Sequence, residues 1–183
     1  MRQSPPAAAL AASVLLLCLI PSAVLMAQEA SPVPAASQAP EGFVLVKTIK
    51  QAGKTAWTDS GIEVKPGDEY YFEAEGSISI QRGNPVANCG PEGLALRTMQ
   101  QPVPDKNLGC LIGMVVYRVE VIEDKETKEK TERRLGDPFP IGQGGAATIT
   151  EAGRLWLGIN ENLTGDNEGE FTVRIFRKTQ PSA

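Results

Sequence analysis

The segment LWLGINENLTGDNEGEFTVRI, Leu155–Ile175, decides the fold. Both of its ends alternate apolar and polar residues, first over Arg154 to Ile159 and again over Glu170 to Phe176. A period of two is the mark of half-buried β-strands. The residues between are rich in oxygen donors: Asn160, Glu161, Asn162, Thr164, Asp166 and Asn167. Strand, polar loop, strand is an arrangement that can hold a hard cation or a polyol at the rim of a β-sandwich. Calcium takes about six to eight oxygens, and such a loop offers carboxylates, amides and backbone carbonyls together. The same residue types are also ordinary turn formers, so the loop by itself supports both readings.

Working outward, strand signals dominate. Phe43 to Ile49 alternates, and Trp57 to Val64 carries aromatic and β-branched residues at strand spacing. Lys65-Pro66-Gly67-Asp68 is a turn, because proline presets φ and glycine accepts a positive φ. Glu69 to Glu75 and Gly76 to Ile80 continue as one strand, with Tyr70, Phe72 and Ala74 on one face. Leu111 to Val121 reads as a single strand. Ala146 to Ile149 and Arg154 to Ile159 flank a Glu151-Ala152-Gly153 turn. Glu123 to Arg134, a run of mixed charge, reads as a protruding, solvated hairpin. Short strands punctuated by Gly and Pro predict an all-β sandwich.

The 183 residues divide into four parts. Residues 1–27 read as a secretory signal, with Arg2, an apolar stretch from Ala7 to Ile20, and a cleavage site after Ala27. The apolar run is short for a membrane span and is broken by Pro21, so no membrane insertion is expected after cleavage. Residues 28–40 form a Pro/Ala/Ser-rich linker, residues 41–178 the sandwich, and residues 179–183 a tail. These features predict a secreted, periplasmic or cell-envelope protein. The formal charge of −4 lacks the basic footprint of a nucleic-acid binder. Beyond the signal two cysteines remain, Cys89 and Cys110. An even number in an exported chain favours a disulfide, worth roughly 3 kcal/mol. Two separate thiols, with Cys110 a small buried apolar residue, are the alternative.

Several stretches resemble, in order, the calcium-dependent, galactose-specific bacterial lectins of the PA-I type and related secreted jelly-roll domains. They are WTDSGIEVKPGDEYYFEAEGSI (Trp57 to Ile78), PEGL (Pro91 to Leu94), LGCLIGMV (Leu108 to Val115) and FPIGQGGAATITEAGRLWLGIN (Phe139 to Asn160). The opening segment resembles the C-terminal hairpin of that family. The resemblance covers most of Phe43 to Arg177 and implies a galactose-binding-like jelly-roll sandwich.

It also implies a calcium site. Asp166 and Asn167 match paired side-chain oxygen ligands, and Glu161 matches an aspartate that touches both metal and sugar. Thr164 and Ile80 match backbone carbonyl donors, and Gly169 a glycine that returns the chain to its strand. In such lectins the long loop, here Gln81 to Asn107, walls the sugar pocket, which makes Gln100 and Gln101 candidates for ligand contact alongside Glu161 and Asp166. Three departures stand out. Glu161 is a methylene longer than aspartate, the loop is about two residues shorter, and the chain has no histidine to meet a sugar's primary hydroxyl.

Lack of histidine also removes Ser-His-Asp, Cys-His and His-ligated zinc chemistry. A carboxylate pair such as Glu161 and Asp166 could serve glycoside hydrolysis only if held roughly 5 to 9.5 Å apart across a cleft. The expectation is therefore a non-catalytic, exported module that binds a carbohydrate or polyol through calcium. The alternative is an envelope interaction or assembly domain without a ligand site. The sequence leaves open whether the chain forms a homo-oligomer.

Overall fold

The structure is a computed structural model, and residues 39–179 are described. The signal reading of residues 1–27, most of the linker and nearly all of the tail lie outside the described residues.

Eleven strands follow in chain order: β1 Phe43–Ala52, β2 Trp57–Val64, β3 Glu69–Ser79, β4 Asn88–Cys89, β5 Leu111–Val116, β6 Arg118–Glu123, β7 Lys130–Leu135, β8 Pro138–Pro140, β9 Gly144–Thr148, β10 Gly153–Ile159 and β11 Glu168–Lys178. Among the described residues the helical content is one 3-10 turn, Pro85–Ala87. All pairings are antiparallel. One sheet runs β1-β11-β3-β4, with β9 also on β3, and the other runs β2-β10-β5-β8. Together they form the jelly-roll-like β-sandwich that the alternating runs predict.

The alternation accounts for the core. Phe171, Val173 and Ile175 of β11 are buried at every second position, as are Leu155, Leu157 and Ile159 of β10. They meet Tyr70, Phe72 and Ile78 of β3 and Leu111 and Val115 of β5 in one cluster. A smaller cluster of Val103, Cys110 and Ile112, with Trp57 against it, lies apart from that core.

Three expectations need correction. β10 and β11 are not a hairpin: each is central in a different sheet, so the loop between them crosses the sandwich. Both strands have a face to bury, and stacked sheets separated by about 10 Å bury both faces where a lone hairpin would leave one wet. Leu111 to Val121 is two strands, not one. It breaks at Tyr117, whose N–H turns to the Leu135 carbonyl at 3.1 Å, and the chain leaves the second sheet for a separate β6–β7 ladder. That ladder is the protruding charged hairpin the sequence suggests. The cysteines are separate thiols, both buried. Cys89 packs with the main core and Cys110 with the smaller cluster, each as a small buried apolar residue. Burial pushes both thiols up to about 11.

Candidate functional site

The β10–β11 crossover begins at Asn160, which is fully buried. Its Oδ1 accepts from the Val103 N–H at 2.8 Å, and its Nδ2 donates to the Val103 and Asn107 carbonyls, both at 3.0 Å. Asn160 thus spends its side chain clasping the long loop against the sandwich and is not a free oxygen donor. Gln101, 4% exposed, completes that clasp. Its Nε2 donates to the Val103 carbonyl at 2.9 Å and to the Lys106 carbonyl, and its Oε1 accepts from the Thr98 N–H at 3.1 Å. Gln101 is therefore a buried, satisfied strut and not a ligand contact. Gln100 is exposed and does not line the pocket described below. A Gln101→Ala variant should lose about 1–3 kcal/mol of stability in chemical denaturation, by orphaning these backbone groups, while ligand affinity at saturating stability stays unchanged.

The other five sequence candidates gather at the far side of the crossover. Glu161, Asp166 and Ile80 line a pocket of about 410 Å³, with Gln81, Asn84, Val86, Ala87, Leu94, Leu96 and Leu163. The Arg82 N–H donates to the Asp166 carbonyl at 3.0 Å, which ties the crossover to the chain just past Ile80. Asn167 lies beneath, 1% exposed. Its Nδ2 donates to the Gly53 carbonyl at 3.1 Å and to Glu161 Oε2 at 2.6 Å. Its Oδ1 is buried with no hydrogen-bond partner. The Thr164 carbonyl accepts from the Asn167 N–H at 3.2 Å and closes the turn.

Burial raises the Glu161 carboxyl above the usual carboxylate range, the Asp166 charge adds to the effect, and the Asn167 hydrogen bond opposes it. The arrangement is thus short of positive charge. It brings two carboxylates together with an unpartnered amide oxygen and nearby backbone carbonyls. Among the described residues no group of three His, Cys, Asp or Glu side chains converges, so a cation here would depend on amide, carbonyl or ligand oxygens beyond the two carboxylates. An oxygen-only set suits a hard cation. Of the sequence candidates, Glu161, Asp166 and Ile80 line the pocket, while Asn167 and Thr164 lie outside its lining.

Sequence reasoning missed the residues that hold this set in place: Gly53, which accepts from Asn167, and the clasp of Asn160 and Gln101. Trp57 is half-buried against the smaller cluster, and Trp156 lies under the Arg134 guanidinium at 4.5 Å. Neither lines the pocket.

No protein-family profile matches the chain, and no curated protein matches it significantly. Among solved structures, the chain is similar to the EclA N-terminal domain, a PllA-like lectin, at 19% identity and a TM-score of 0.51. That match covers 76% of this chain and 100% of the lectin domain, and it shows a shared fold. A second match is the CBM22-1–GH10 portion of a Clostridium thermocellum endo-1,4-beta-D-xylanase complexed with xylohexaose, at 14% identity and a TM-score of 0.24. It covers 78% of this chain and 27% of the xylanase chain, and no argument rests on it.

Proposed function

We propose that this domain is a non-catalytic carbohydrate-binding module of lectin type, exported, with calcium bridging protein and sugar at the Glu161–Asn167 loop. The observation that carries the proposal is Asn167 Oδ1. A buried amide oxygen without a partner costs about 1–3 kcal/mol, and a cation beside Glu161 and Asp166 would remove that cost. The fold shared with a PllA-like lectin supports the same reading. Once bound, calcium would offer coordination positions to vicinal hydroxyls of a sugar. The chain's own residues do the rest. Glu161 and Asp166 bring negative charge to the ion and accept from the hydroxyls, and Asn167 and the carbonyls complete the shell neutrally. Leu96, Leu163 and Val86, all exposed, give the pocket an apolar rim for the faces of a sugar ring. With no histidine in the chain, Ser-His-Asp and Cys-His chemistry have no base, and the reading rests on binding.

The test is retention of the purified protein on immobilised monosaccharides in calcium and its elution by chelator. Asp166→Asn, at an exposed position, should leave the fold intact and weaken calcium-dependent retention at least tenfold, about 1.4 kcal/mol. Retention that ignores both calcium and this substitution would refute the site. Absence of binding across a broad glycan array in calcium would refute the function.

A further inference from the structure

We propose that the β6–β7 hairpin is a dimerisation arm that pairs, edge to edge, with the same hairpin of a second copy of this chain. The inference is independent of the sugar reading. The hairpin is a ladder from Arg118↔Leu135 to Glu123↔Lys130, and neither strand pairs with any other strand among the described residues. A lone two-stranded ribbon is marginal in water, and an uncovered apolar edge invites pairing. This one carries Tyr117, Val119, Val121 and Ile122, each about half exposed or more.

The arm is nonetheless held at both ends. At its root Arg134 stacks 4.5 Å over Trp156, and the Tyr117 N–H bonds Leu135. At its tip Asp124 Oδ1 accepts from the Glu126 and Thr127 N–H groups, both at 2.8 Å. A fixed ribbon has already lost the entropy that pairing would otherwise cost.

Charge and register select the occupant. The stretch from Arg118 to Arg134 holds six acidic and six basic side chains, while the whole chain carries −4. Two copies therefore meet at this arm without the net repulsion that opposes their approach elsewhere. The Asp124 N–H to Glu129 carbonyl bond, at 2.9 Å, sets the alternation along β6. Even-numbered residues turn their backbone groups to β7, and Val119 and Val121 turn theirs to the open edge. A twofold axis at Val119 then sets Val119 against itself, Tyr117 against Val121, and Arg118 against Glu120 of the second copy. Within one chain Arg118 already reaches Glu120 at 3.2 Å, so the dimer exchanges that pair across the axis. A twofold at Val121 keeps an apolar centre but sets Val119 against Glu123 and loses the exchanged pair. An isologous contact of two such short strands is smaller than the roughly 1,200 Å² of a standard interface, so the test is set in the micromolar range of a weak dimer.

Position 119 meets its own copy, which makes the test specific. In sedimentation velocity of the full chain as purified from its host, over roughly 1–100 µM, the wild type should shift from monomer to dimer. Val119→Lys and Val119→Glu each place like charges opposite one another and should raise the dissociation constant at least tenfold. An equimolar mixture of the two should restore the dimer as a heterodimer. Val119 is exposed, so unchanged melting temperatures would show both variants folded. The proposal is overturned by a wild type that stays monomeric throughout the range, which would leave the arm to a different protein. It is equally overturned by a dimer that either single variant leaves intact, or by a mixture that stays monomeric.

Discussion

Calcium should raise the melting temperature of this protein by several degrees, and chelator should reverse the rise. A ligand at a hundred times its Kd adds about 2.7 kcal/mol to the folded state, which is several degrees for a chain of this size. The gain should vanish in Asn167→Leu, which removes the unpartnered oxygen together with the partner of Glu161. The pH dependence in chelator has a definite sign. Glu161 is raised in the fold, by burial and then by Asp166. A carboxyl raised in the folded state contributes stability that is fully present below its unfolded value. That contribution is lost as pH rises through the folded one. In chelator, therefore, the Glu161 contribution should decline as pH climbs from the ordinary carboxyl range of about 4.5 through the raised value. A bound cation holds Glu161 ionised and reverses the shift, so in calcium the contribution should hold level above the unfolded carboxyl value and be lost only as pH falls below it. Melting scans at matched pH, with and without calcium, separate the two. Parallel pH curves in calcium and chelator would show that no cation sits at Glu161.

Much of the sandwich was legible because alternation is a local signal. Phe171, Val173 and Ile175 announce one face of a strand to any reader of the chain, and the structure buries those three. The sheet assignment was not legible, because nothing in LWLGINENLTGDNEGEFTVRI says whether its two strands pair with each other or lie in opposite layers. That choice is made by β2 and β5 flanking β10, and by β1 and β3 flanking β11. The loop residues illustrate the same limit. Asn160, Glu161, Asp166 and Asn167 look alike as oxygen donors in the sequence. Asn160 is consumed by Val103 and Asn107, more than fifty positions away, while Asn167 keeps an oxygen free. Gln101 looks like a ligand contact because the resembled lectins wall their sugar pocket with this loop. Its burial depends on the Val103–Lys106 turn folding around it. The break at Tyr117 was hidden since apolar residues continue on both sides of it, and only the change of partner strand marks it.

Gly169→Ala should be strongly damaging, because it strikes the site's scaffold and its fold together. Gly169 adopts φ +83, which an L side chain adopts only under strain. A Cβ there would also lie 2.4 Å from the Ser77 carbonyl of β3, a backbone atom that cannot swing aside without breaking the Gly169↔Ile78 register. Left-handed strain costs of order 1–3 kcal/mol and overpacking a similar amount, so a loss of about 2–5 kcal/mol is expected. The consequence for the site follows from the next contact along. The Gly169 carbonyl accepts from the Gly53 N–H at 2.9 Å, and the Gly53 carbonyl accepts from Asn167. Moving Gly169 moves Gly53, and Gly53 sets where the Asn167 oxygen points. Gly53→Ala is the milder companion. Gly53 has no positive φ, but an added methyl would meet the Glu168 carbonyl at 2.9 Å. It should cost less stability in denaturant titration than Gly169→Ala, yet weaken calcium binding by calorimetry measurably. Gly53→Ala losing stability while keeping full calcium affinity would mean that Asn167 is placed by its own turn through Thr164, and that the Gly53–Gly169 contact serves the fold alone.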